Sequence, residues 1–247
     1  MTTSSTTSPP GLQAVGISVD LGGAPVLRDV TIAAAPGEVL GIFGPSGAGK
    51  STLFRALAGE QPLRAGRVLL EGHDVTALPL WARARRGLGY LPQTPSVLWD
   101  LTVAENLAVF RSVASLPGPD PSALAAELGL EARLDVRAGS LSGGERRRLE
   151  LGRALSAAPR ALLCDEPFAA IDPLGAVRVA SRLRALAAAG AAVIIADHHV
   201  AEALGLCHRA ALLLEGEIAM VAEPAAFSAD PLVRKHYVVL PERDIRA

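Results

Sequence analysis

The stretch Gly44-Pro45-Ser46-Gly47-Ala48-Gly49-Lys50-Ser51 decides the fold class of this chain. It follows an apolar β-type run, Val39–Phe43, and leads into a helical pattern over Lys50–Ala58. Glycines let the backbone wrap closely, so that N–H groups and the helix N-terminus can face phosphates. Because the strand and the helix are both present, a chance glycine-rich turn is the weaker interpretation. The stretch predicts a nucleoside triphosphate site, with Lys50 at the β- and γ-phosphates and the Ser51 hydroxyl on Mg²⁺.

Two acids follow a second apolar run further along the chain. The strand pattern Ala161–Asp165 is continued by Glu166. Two adjacent acids at the end of a buried strand indicate that a positively charged group lies next to them. We therefore expect Asp165 to hold Mg²⁺ through its water shell and Glu166 to polarise the attacking water. The alternative is a pair of solvated acids at an ordinary strand end, which the phosphate-loop pattern upstream makes less attractive.

The hydrophobic patterns around these motifs divide the chain into three parts. Short β-type runs occupy the first part, with Gly22-Gly23 as a hairpin turn, and helical patterns dominate residues 95–158. Apolar strands then alternate with a helix, as in a parallel sheet that is covered on both faces. The predicted fold is α/β: a P-loop NTPase (RecA-like) core with an antiparallel β subdomain and an inserted α-helical signature subdomain. The predicted strands are Leu12–Asp20, Val26–Ala33, Val39–Phe43, Arg67–Leu70, Ala161–Asp165 and Ala191–Asp197, and the predicted helices are Lys50–Ala58, Val103–Phe110, Pro121–Leu128, Gly144–Leu155 and Leu174–Ala188.

Composition limits the classes of protein to which the chain can belong. Its 247 residues and 50% apolar content suffice for one core with a subdomain at residues 12–240, between tails at 1–11 and 241–247. The net charge of -1 gives no sign of a nucleic-acid-binding tail, and two cysteines give no disulfide framework. The N-terminus lacks the apolar segment of a signal peptide, and the longest apolar stretch, 185–196, is too short to cross a bilayer. A role at a membrane would therefore require another subunit.

A second helix start that suits an anion follows the helical middle. In Leu141-Ser142-Gly143-Gly144-Glu145, a serine and two glycines precede a helical pattern. One triphosphate needs only one such cradle beside its own loop. Taken alone, Ser142 is more commonly an ordinary N-cap residue.

The motifs, in this order, resemble those of the ATP-binding subunits of ABC transporters, and the resemblance covers the chain from Leu12 onward. In that family the Ser142 segment caps the γ-phosphate of ATP held by a partner subunit. The resemblance implies three further residues: Gln93, which touches Mg²⁺, Asp172, which crosses to the partner, and His198, which contacts the γ-phosphate. His199 is the alternative histidine, but His198 directly follows the strand and Asp197.

The resemblance implies a full set of site residues for ATP and Mg²⁺. The expected catalytic residues are Glu166, His198 and Gln93; the expected metal ligands are Ser51, Gln93 and Asp165; and the expected nucleotide-binding residues are Gly44, Pro45, Ser46, Gly47, Ala48, Gly49, Lys50, Ser51, Thr52, Leu21, Ser142, Gly143, Gly144 and Asp172.

The position expected to cover the adenine base departs from the family pattern. The family usually places an aromatic residue in the first hairpin, whereas this chain has Leu21 just before Gly22-Gly23. An aliphatic side chain loses the stacking contribution, on the order of 1–3 kcal/mol by analogy with bases on aromatic side chains. We therefore expect weaker or less adenine-selective binding.

Within the family, the chain is most similar to lipopolysaccharide-export ATPases, on the stretches 89–93, 140–148, 165–169, 197–198 and 231–237. This implies a homodimer that drives integral membrane subunits from the cytoplasmic face of the inner membrane, with no nucleic acid and no membrane span of its own. A branched-chain amino-acid importer ATPase shares much of the pattern. A soluble ABC protein usually has two such units or a long coiled coil, neither of which is present, and Glu166 and His198 argue against a subunit without turnover.

Two further stretches have both a functional and an ordinary interpretation. Residues 97–101, Val-Leu-Trp-Asp-Leu, offer apolar anchors after Gln93 for a helix of the membrane partner, but Trp99 suits the core of the helical subdomain as well. Arg146, Arg147 and Arg148 favour the exporter, although a solvated basic face explains them equally well.

Overall fold

The computed structural model describes residues 11–112 and 118–236. The predicted tails at 1–11 and 241–247 lie outside these ranges, except for Gly11, which is buried and accepts a hydrogen bond from the Glu71 amide (3.0 Å). The strands are β1 Leu12–Leu21, β2 Ala24–Ala34, β3 Val39–Phe43, β4 Ala65–Leu70, β5 His73–Asp74, β6 Leu88–Leu91, β7 Ala161–Asp165, β8 Ala192–Ala196, β9 Arg209–Leu214 and β10 Glu217–Ala222. The helices are α1 Lys50–Ala58, α2 Leu80–Arg85, α3 Val103–Ser112, α4 Pro121–Glu127, α5 Gly143–Leu155, α6 Pro173–Ala188, α7 Val200–Leu204, α8 Pro224–Ala229 and α9 Pro231–His236.

Two sheets form the frame of the molecule. The six-stranded sheet has the order β10-β9-β3-β8-β7-β6, and its strands are parallel except for β10. The four-stranded sheet has the order β2-β1-β4-β5 and is antiparallel. The predicted α/β class with an antiparallel β subdomain is therefore confirmed.

The central strands are buried on both faces, which explains their unbroken apolar sequences. In β7, Ala161 and Leu163 face the core that is shared with the antiparallel sheet and α1, whereas Leu162 and Cys164 face the core that contains the helices. Helices α3, α4 and α5 pack on one another between β6 and β7 in chain order. This arrangement brings the carboxyl ends of β3, β7 and β8 to one edge of the sheet, where ligand sites of such folds lie.

The buried arginine Arg83 secures the far end of α1. Its guanidinium donates to the carbonyls of Ala56 (2.9 Å) and Leu57 (2.6 Å) in the last turn of α1, and to Leu78 and Thr76. Burial lowers the pKa of Arg83 to about 10, and Asp74 opposes this shift. Because a helix leaves its last carbonyls without intrahelical partners, Arg83 fixes the helix whose other end begins at the phosphate loop.

Candidate functional site

A cavity of about 460 Å³ lies at the carboxyl edge of the parallel sheet. It brings together the predicted phosphate loop with four residues from distant parts of the chain: Gln93, Asp165, Glu166 and His198. The residues that line it are Val26, Gly44, Pro45, Ser46, Gly47, Gly49, Lys50, Ser51, Thr52, Gln93, Asp165, Glu166, Ala196, Asp197 and His198. Ala48 is the one member of the predicted loop outside this set, because its side chain is buried against the antiparallel sheet.

The phosphate loop takes a shape that depends on its glycines, as Gly44 and Gly49 illustrate. A Cβ atom at residue 44 would lie 2.2 Å from the Leu213 carbonyl oxygen, and Gly49 has φ 107°, a left-handed conformation. Gly49 is also the residue before α1, where the described residues provide no side-chain cap. The N-terminus of α1 therefore points into the cavity with its N–H groups, an arrangement that favours a bound anion.

Lys50 contributes the positive charge of the cavity. Its Nζ donates to the carbonyls of Gly44 (2.6 Å) and Pro45 (2.9 Å), which curls the side chain back over the loop. Partial burial lowers the pKa of Lys50, while the charges of Asp165 and Glu166 oppose that shift. A cation held between loop carbonyls and two acids suits the recognition of phosphate oxygens.

Asp165 is the last residue of β7, and Glu166 follows it at the cavity. Burial raises the pKa of Asp165, and a hydrogen bond from Ser51 partly offsets that rise. Glu166 adopts φ 59°, uncommon for a non-glycine residue, and its amide donates to the Ala196 carbonyl (2.7 Å). Strained backbone of this kind persists only where its surroundings hold it, which is typical of functional sites.

Two polar side chains surround the Glu166 carboxylate. Gln93 Nε2 donates to Glu166 Oε1 (2.9 Å), and His198 Nδ1 lies 3.7 Å from the same oxygen. Gln93 Oε1 in turn lies 3.5 Å from the Ser51 hydroxyl oxygen. The sequence predicted Ser51, Gln93, Glu166 and His198 separately, and the fold makes them neighbours.

The two adjacent histidines have different surroundings. His198 lines the cavity, whereas the His199 ring lies 2.9 Å from Asp197 Oδ1. The Asp197 carboxylate also accepts from the amides of His199 (2.8 Å) and Phe168 (2.9 Å). It therefore braces the turn that presents His198, and this geometry supports His198 over His199 as the histidine of the site.

The second predicted helix start lies outside the cavity. Ser142 caps α5: its hydroxyl accepts from the Glu145 amide (3.2 Å), and the Glu145 carboxylate accepts from the Ser142 amide (2.9 Å). This capping box satisfies the ordinary N-cap interpretation. The Arg133 hydrogen bond, with help from Ser142, lowers the pKa of Glu145 to about 2.

Asp172 begins α6 close to this helix start. Its carboxylate accepts from the Gly175 amide (2.8 Å), which lowers the pKa of Asp172. A Cβ atom at Gly144 would lie 2.9 Å from the Ala170 carbonyl oxygen, so the start of α5 packs against the segment before Asp172. The Ser142 and Asp172 segments thus share one region of the surface, away from the phosphate loop of their own chain.

One sequence interpretation stays untested in the structure, and another changes. Leu21 ends β1 beside the hairpin turn, is 38% exposed and lies outside the lining of the cavity, which includes the apolar side chain of Val26; its role at the adenine base stays a prediction. Arg147 is buried, so the solvated-face interpretation is wrong for that arginine. Its spacing of three residues from Glu150 on a helix was the only signal in the sequence.

An apolar groove of about 650 Å³ lies between β6 and the helical region. Trp81 and Phe110 line it, together with Tyr90 and Ser96, which lie three residues before and after Gln93 in sequence. The stretch 97–101, predicted to line a docking groove near Gln93, lies outside this groove: Val97 is buried in the core, and the 47% exposed Trp99 ring lies 4.7 Å from the Arg146 guanidinium. Its role in docking stays a prediction. In the ranges 11–112 and 118–236, each helix is too short or too polar to cross a membrane.

The chain is similar in sequence and in fold to known proteins. The model of a family described as ABC transporter matches residues 27–169. The lipopolysaccharide export system ATP-binding protein LptB of Acidithiobacillus ferridurans is 45% identical over 217 residues, covering 86% of this chain and 90% of that protein. LptB of Escherichia coli strain K12 is 38% identical, with the same coverage. The ADP conformation of MJ1267, an ATP-binding cassette of an ABC transporter, superimposes with a TM-score of 0.81 at 28% identity, over 93% of this chain and 98% of that one.

Proposed function

The chain belongs to the ABC transporter family as an ATP-hydrolysing, ATP-binding subunit, and from this premise we propose that two copies close head to tail around two ATP molecules to drive lipopolysaccharide export. One observation carries the proposal: the phosphate cavity and the Ser142 helix start occur in one chain but on separate surfaces. In a head-to-tail pair, each cavity would meet the Ser142 segment of the other copy. The domain limits 12–240 and 95–158 stay predictions within this proposal.

The cavity residues divide into those that hold ATP and those that act on it. The loop 44–51, Thr52 and the N-terminus of α1 would bind the phosphates, with Lys50 turning from its loop carbonyls toward the β- and γ-phosphate oxygens. Little covalent chemistry is required in phosphoryl transfer, so positioning and charge supply most of the acceleration.

The donor set in the cavity fits Mg²⁺. Ser51 offers a hydroxyl, Gln93 an amide oxygen and Asp165 a carboxylate, and hard oxygen ligands of this kind are those that Mg²⁺ prefers. Bound there, Mg²⁺ would neutralise negative charge on the phosphate oxygens. The hydrogen bond from Ser51 to Asp165 places two of these oxygen ligands together.

Glu166 would polarise the attacking water. A general base must lie within hydrogen-bond reach of the proton it takes, and Glu166 is the carboxylate that Gln93 and His198 flank in the cavity. Gln93 orients the carboxylate through its Nε2 donor. His198 is exposed enough to contact a γ-phosphate at the mouth of the cavity.

The other half of each site would come from the second copy. Ser142, Gly143 and Gly144 would present the N-terminus of α5 to the γ-phosphate, and Asp172 would cross at the same surface. The capping box does not compete with this role, because it engages the Glu145 and Ser142 amides and leaves the glycine amides of the first turn for the phosphate.

The apolar groove supports a membrane partner. We propose that a short amphipathic helix of an integral membrane subunit inserts beside Trp81 and Phe110, which holds the ATPase at the cytoplasmic face of the inner membrane. The names of the relatives favour lipopolysaccharide export over branched-chain amino-acid import. Movement at the nucleotide cavity would reach the groove through residues 92–96, because Gln93 lines the cavity and Ser96 lines the groove.

A Glu166→Gln variant tests the proposal. Loss of the base should reduce turnover by about 100-fold or more, while ATP binding persists, so the closed dimer should accumulate. Light scattering during size-exclusion chromatography, with ATP and with ADP, reports the mass. A dimer with ATP and a monomer with ADP is expected. Full turnover in this variant, or a monomer with ATP, would contradict the proposal.

A further inference from the structure

Arg147 joins three segments of the chain at a buried position. It lies in the second turn of α5 and is 6% exposed. Its Nη1 donates to the Pro92 carbonyl (2.7 Å), its Nε to the Glu166 carbonyl (3.1 Å), and its Nη2 to the Asp165 carbonyl. A guanidinium has five donors in a rigid fork, so one side chain can hold three carbonyls in a fixed relative position.

These carbonyls belong to the catalytic segments of the same chain. Pro92 precedes Gln93, and Asp165 and Glu166 are the two acids of the cavity. Arg147 therefore contacts the main chain of the groups that would hold Mg²⁺ and polarise water. Its bond to Glu166 acts on a residue in the left-handed conformation, which needs such external support.

Glu150 extends the same connection by one turn of helix. Its Oε2 accepts from Arg147 Nη1 (2.8 Å), and its Oε1 accepts from the Ser96 amide (2.9 Å). Both side chains are almost fully buried. Together they bind the Gln93 loop to α5 on both sides of the glutamine, at Pro92 and at Ser96.

We infer that Arg147 is a positioning residue that fixes the Gln93 and Glu166 segments of its own chain to the helix whose N-terminus, Ser142, would face the nucleotide of the second copy. This inference rests on the head-to-tail dimer proposed above. Ser142 and Arg147 are five residues apart, about 7 Å along a helix. Helix α5 is then a rigid link between the two nucleotide sites of the dimer. Its N-terminus contacts the γ-phosphate of one site, and its Arg147 aligns the general base Glu166 of the other site.

The neighbouring arginine provides a matched control. Arg148 Nη1 donates to the carbonyls of Leu128 (2.6 Å) and Gly129 (3.0 Å), at the end of α4. Its Nε also donates to the Gly144 carbonyl of its own helix (3.3 Å), so its loss removes three carbonyl contacts, none of which lies on the Gln93 or Glu166 segment. Arg148→Gln should therefore reproduce the loss of stability caused by removing a guanidinium from α5, without displacing the general base Glu166.

The test compares Arg147→Gln, Arg147→Lys and Arg148→Gln by steady-state ATPase kinetics and melting temperature. A displacement of about 1 Å at a catalytic group can cost about 100-fold in rate, so we expect kcat to fall by that order in Arg147→Gln while the KM for ATP stays within about threefold. Arg147→Lys keeps the charge beside Glu150 but cannot donate to three carbonyls at once. It should therefore show the same loss of kcat with little change in KM, and it should fold even if Arg147→Gln does not.

Two results would overturn the inference: an unchanged kcat in Arg147→Lys, or equal losses of kcat in Arg147→Lys and Arg148→Gln at equal melting temperatures. ATP-induced dimerisation of Glu166→Gln with and without Arg147→Lys separates the two proposals. Failure of the Glu166→Gln single variant to dimerise counts against the head-to-tail dimer. If Glu166→Gln dimerises both with and without Arg147→Lys, and the Arg147→Lys single variant keeps its kcat, the positioning role of Arg147 is contradicted while the dimer stands.

Discussion

The N-termini of α1 and α5 both follow glycine-containing loops, but the residues around the two helix starts differ. Gly49 precedes α1 in a left-handed conformation, and the helix opens into a cavity with Lys50 and Asp165. Ser142 precedes α5 with a complete capping box and lies outside that cavity. The two helix starts would both favour an anion. At the first, Lys50, Asp165 and Glu166 line a cavity, whereas at the second Glu145 and Arg133 are paired with each other.

The difference shows how one chain can contain two unequal halves of a site. At α1, the side chains that act on a triphosphate converge from four parts of the sequence. At α5, the side chains Glu145 and Arg133 stabilise the helix start itself. We therefore interpret the α5 end as a surface prepared for the nucleotide of another copy, and the following changes should separate the two ends.

The largest effects should come from one substitution at each end. Lys50→Ala should weaken ATP binding by the single chain about 100-fold or more, because a charge-assisted contact to phosphate is lost. Ser142→Asp should leave that binding intact, since aspartate caps a helix as well as serine does. The added negative charge should nevertheless reduce hydrolysis about 100-fold by repelling the γ-phosphate of the second copy. Calorimetric ATP binding and an ATPase assay measure the two quantities separately.

The neutral variant Ser142→Asn is the control for that experiment. Asparagine preserves the cap without charge, so it should keep most of the activity. If Ser142→Asp weakens ATP binding by the isolated chain as much as Lys50→Ala does, the two ends are not the separate halves that we describe.

A smaller effect should appear at the start of α5, where the contribution of Glu145 to the free energy of unfolding should depend on pH. Because Arg133 and Ser142 depress the pKa of Glu145 to about 2, its charged form stabilises the fold above the pKa of an unfolded glutamate, near 4.3. That stabilisation is lost as the pH falls from about 4.5 toward 2. Glu145→Gln should lower the free energy of unfolding by about 0.5–1 kcal/mol at pH 7, a size typical of a partly exposed ion pair. Denaturant titrations of both proteins at pH 7 and pH 3 measure it, and a gap that does not narrow at pH 3 would refute the assignment.

The smallest effect concerns the base rather than the phosphates. Leu21→Tyr should strengthen ATP binding about fivefold, or about 1 kcal/mol, if an aromatic ring at that position stacks on adenine. The affinity for inorganic triphosphate, which has no base, should not change. No gain in ATP affinity would indicate that position 21 does not cover the adenine base.

The sequence predicted the fold well where its elements are long and their patterns continuous. The strand Val39–Phe43 and the helix Lys50–Ala58 have the predicted limits, because a buried apolar strand, a glycine-rich loop and a glycine just after the helix give unambiguous local signals. Strand β6 was not predicted, since its four residues include Gly89 and its stability comes from pairing with β7. Strand β9 was also missed, although it completes the parallel part of the sheet beside β3.

The site was predictable as a set of motifs but not as a geometry. The motifs identified Lys50, Asp165 and His198, yet nothing local indicates that Gln93 donates to Glu166 at 2.9 Å. Arg147 was missed for the same reason, because its carbonyl partners lie 18, 19 and 55 residues away in sequence. Contacts of this kind depend on tertiary packing, which a single sequence does not display.

The central claim is that each site combines the phosphate loop of one chain with the Ser142 segment of the other, and mixing two inactive variants tests it directly. Chains with Lys50→Ala and chains with Ser142→Asp should each hydrolyse ATP poorly. A mixed dimer has one site with neither substitution, so the mixture should recover activity. Adding Glu166→Gln to the Ser142→Asp chain should abolish that recovery, while adding it to the Lys50→Ala chain should not. A mixture no more active than its separate components would contradict the claim, because it would mean that each chain uses its own Ser142.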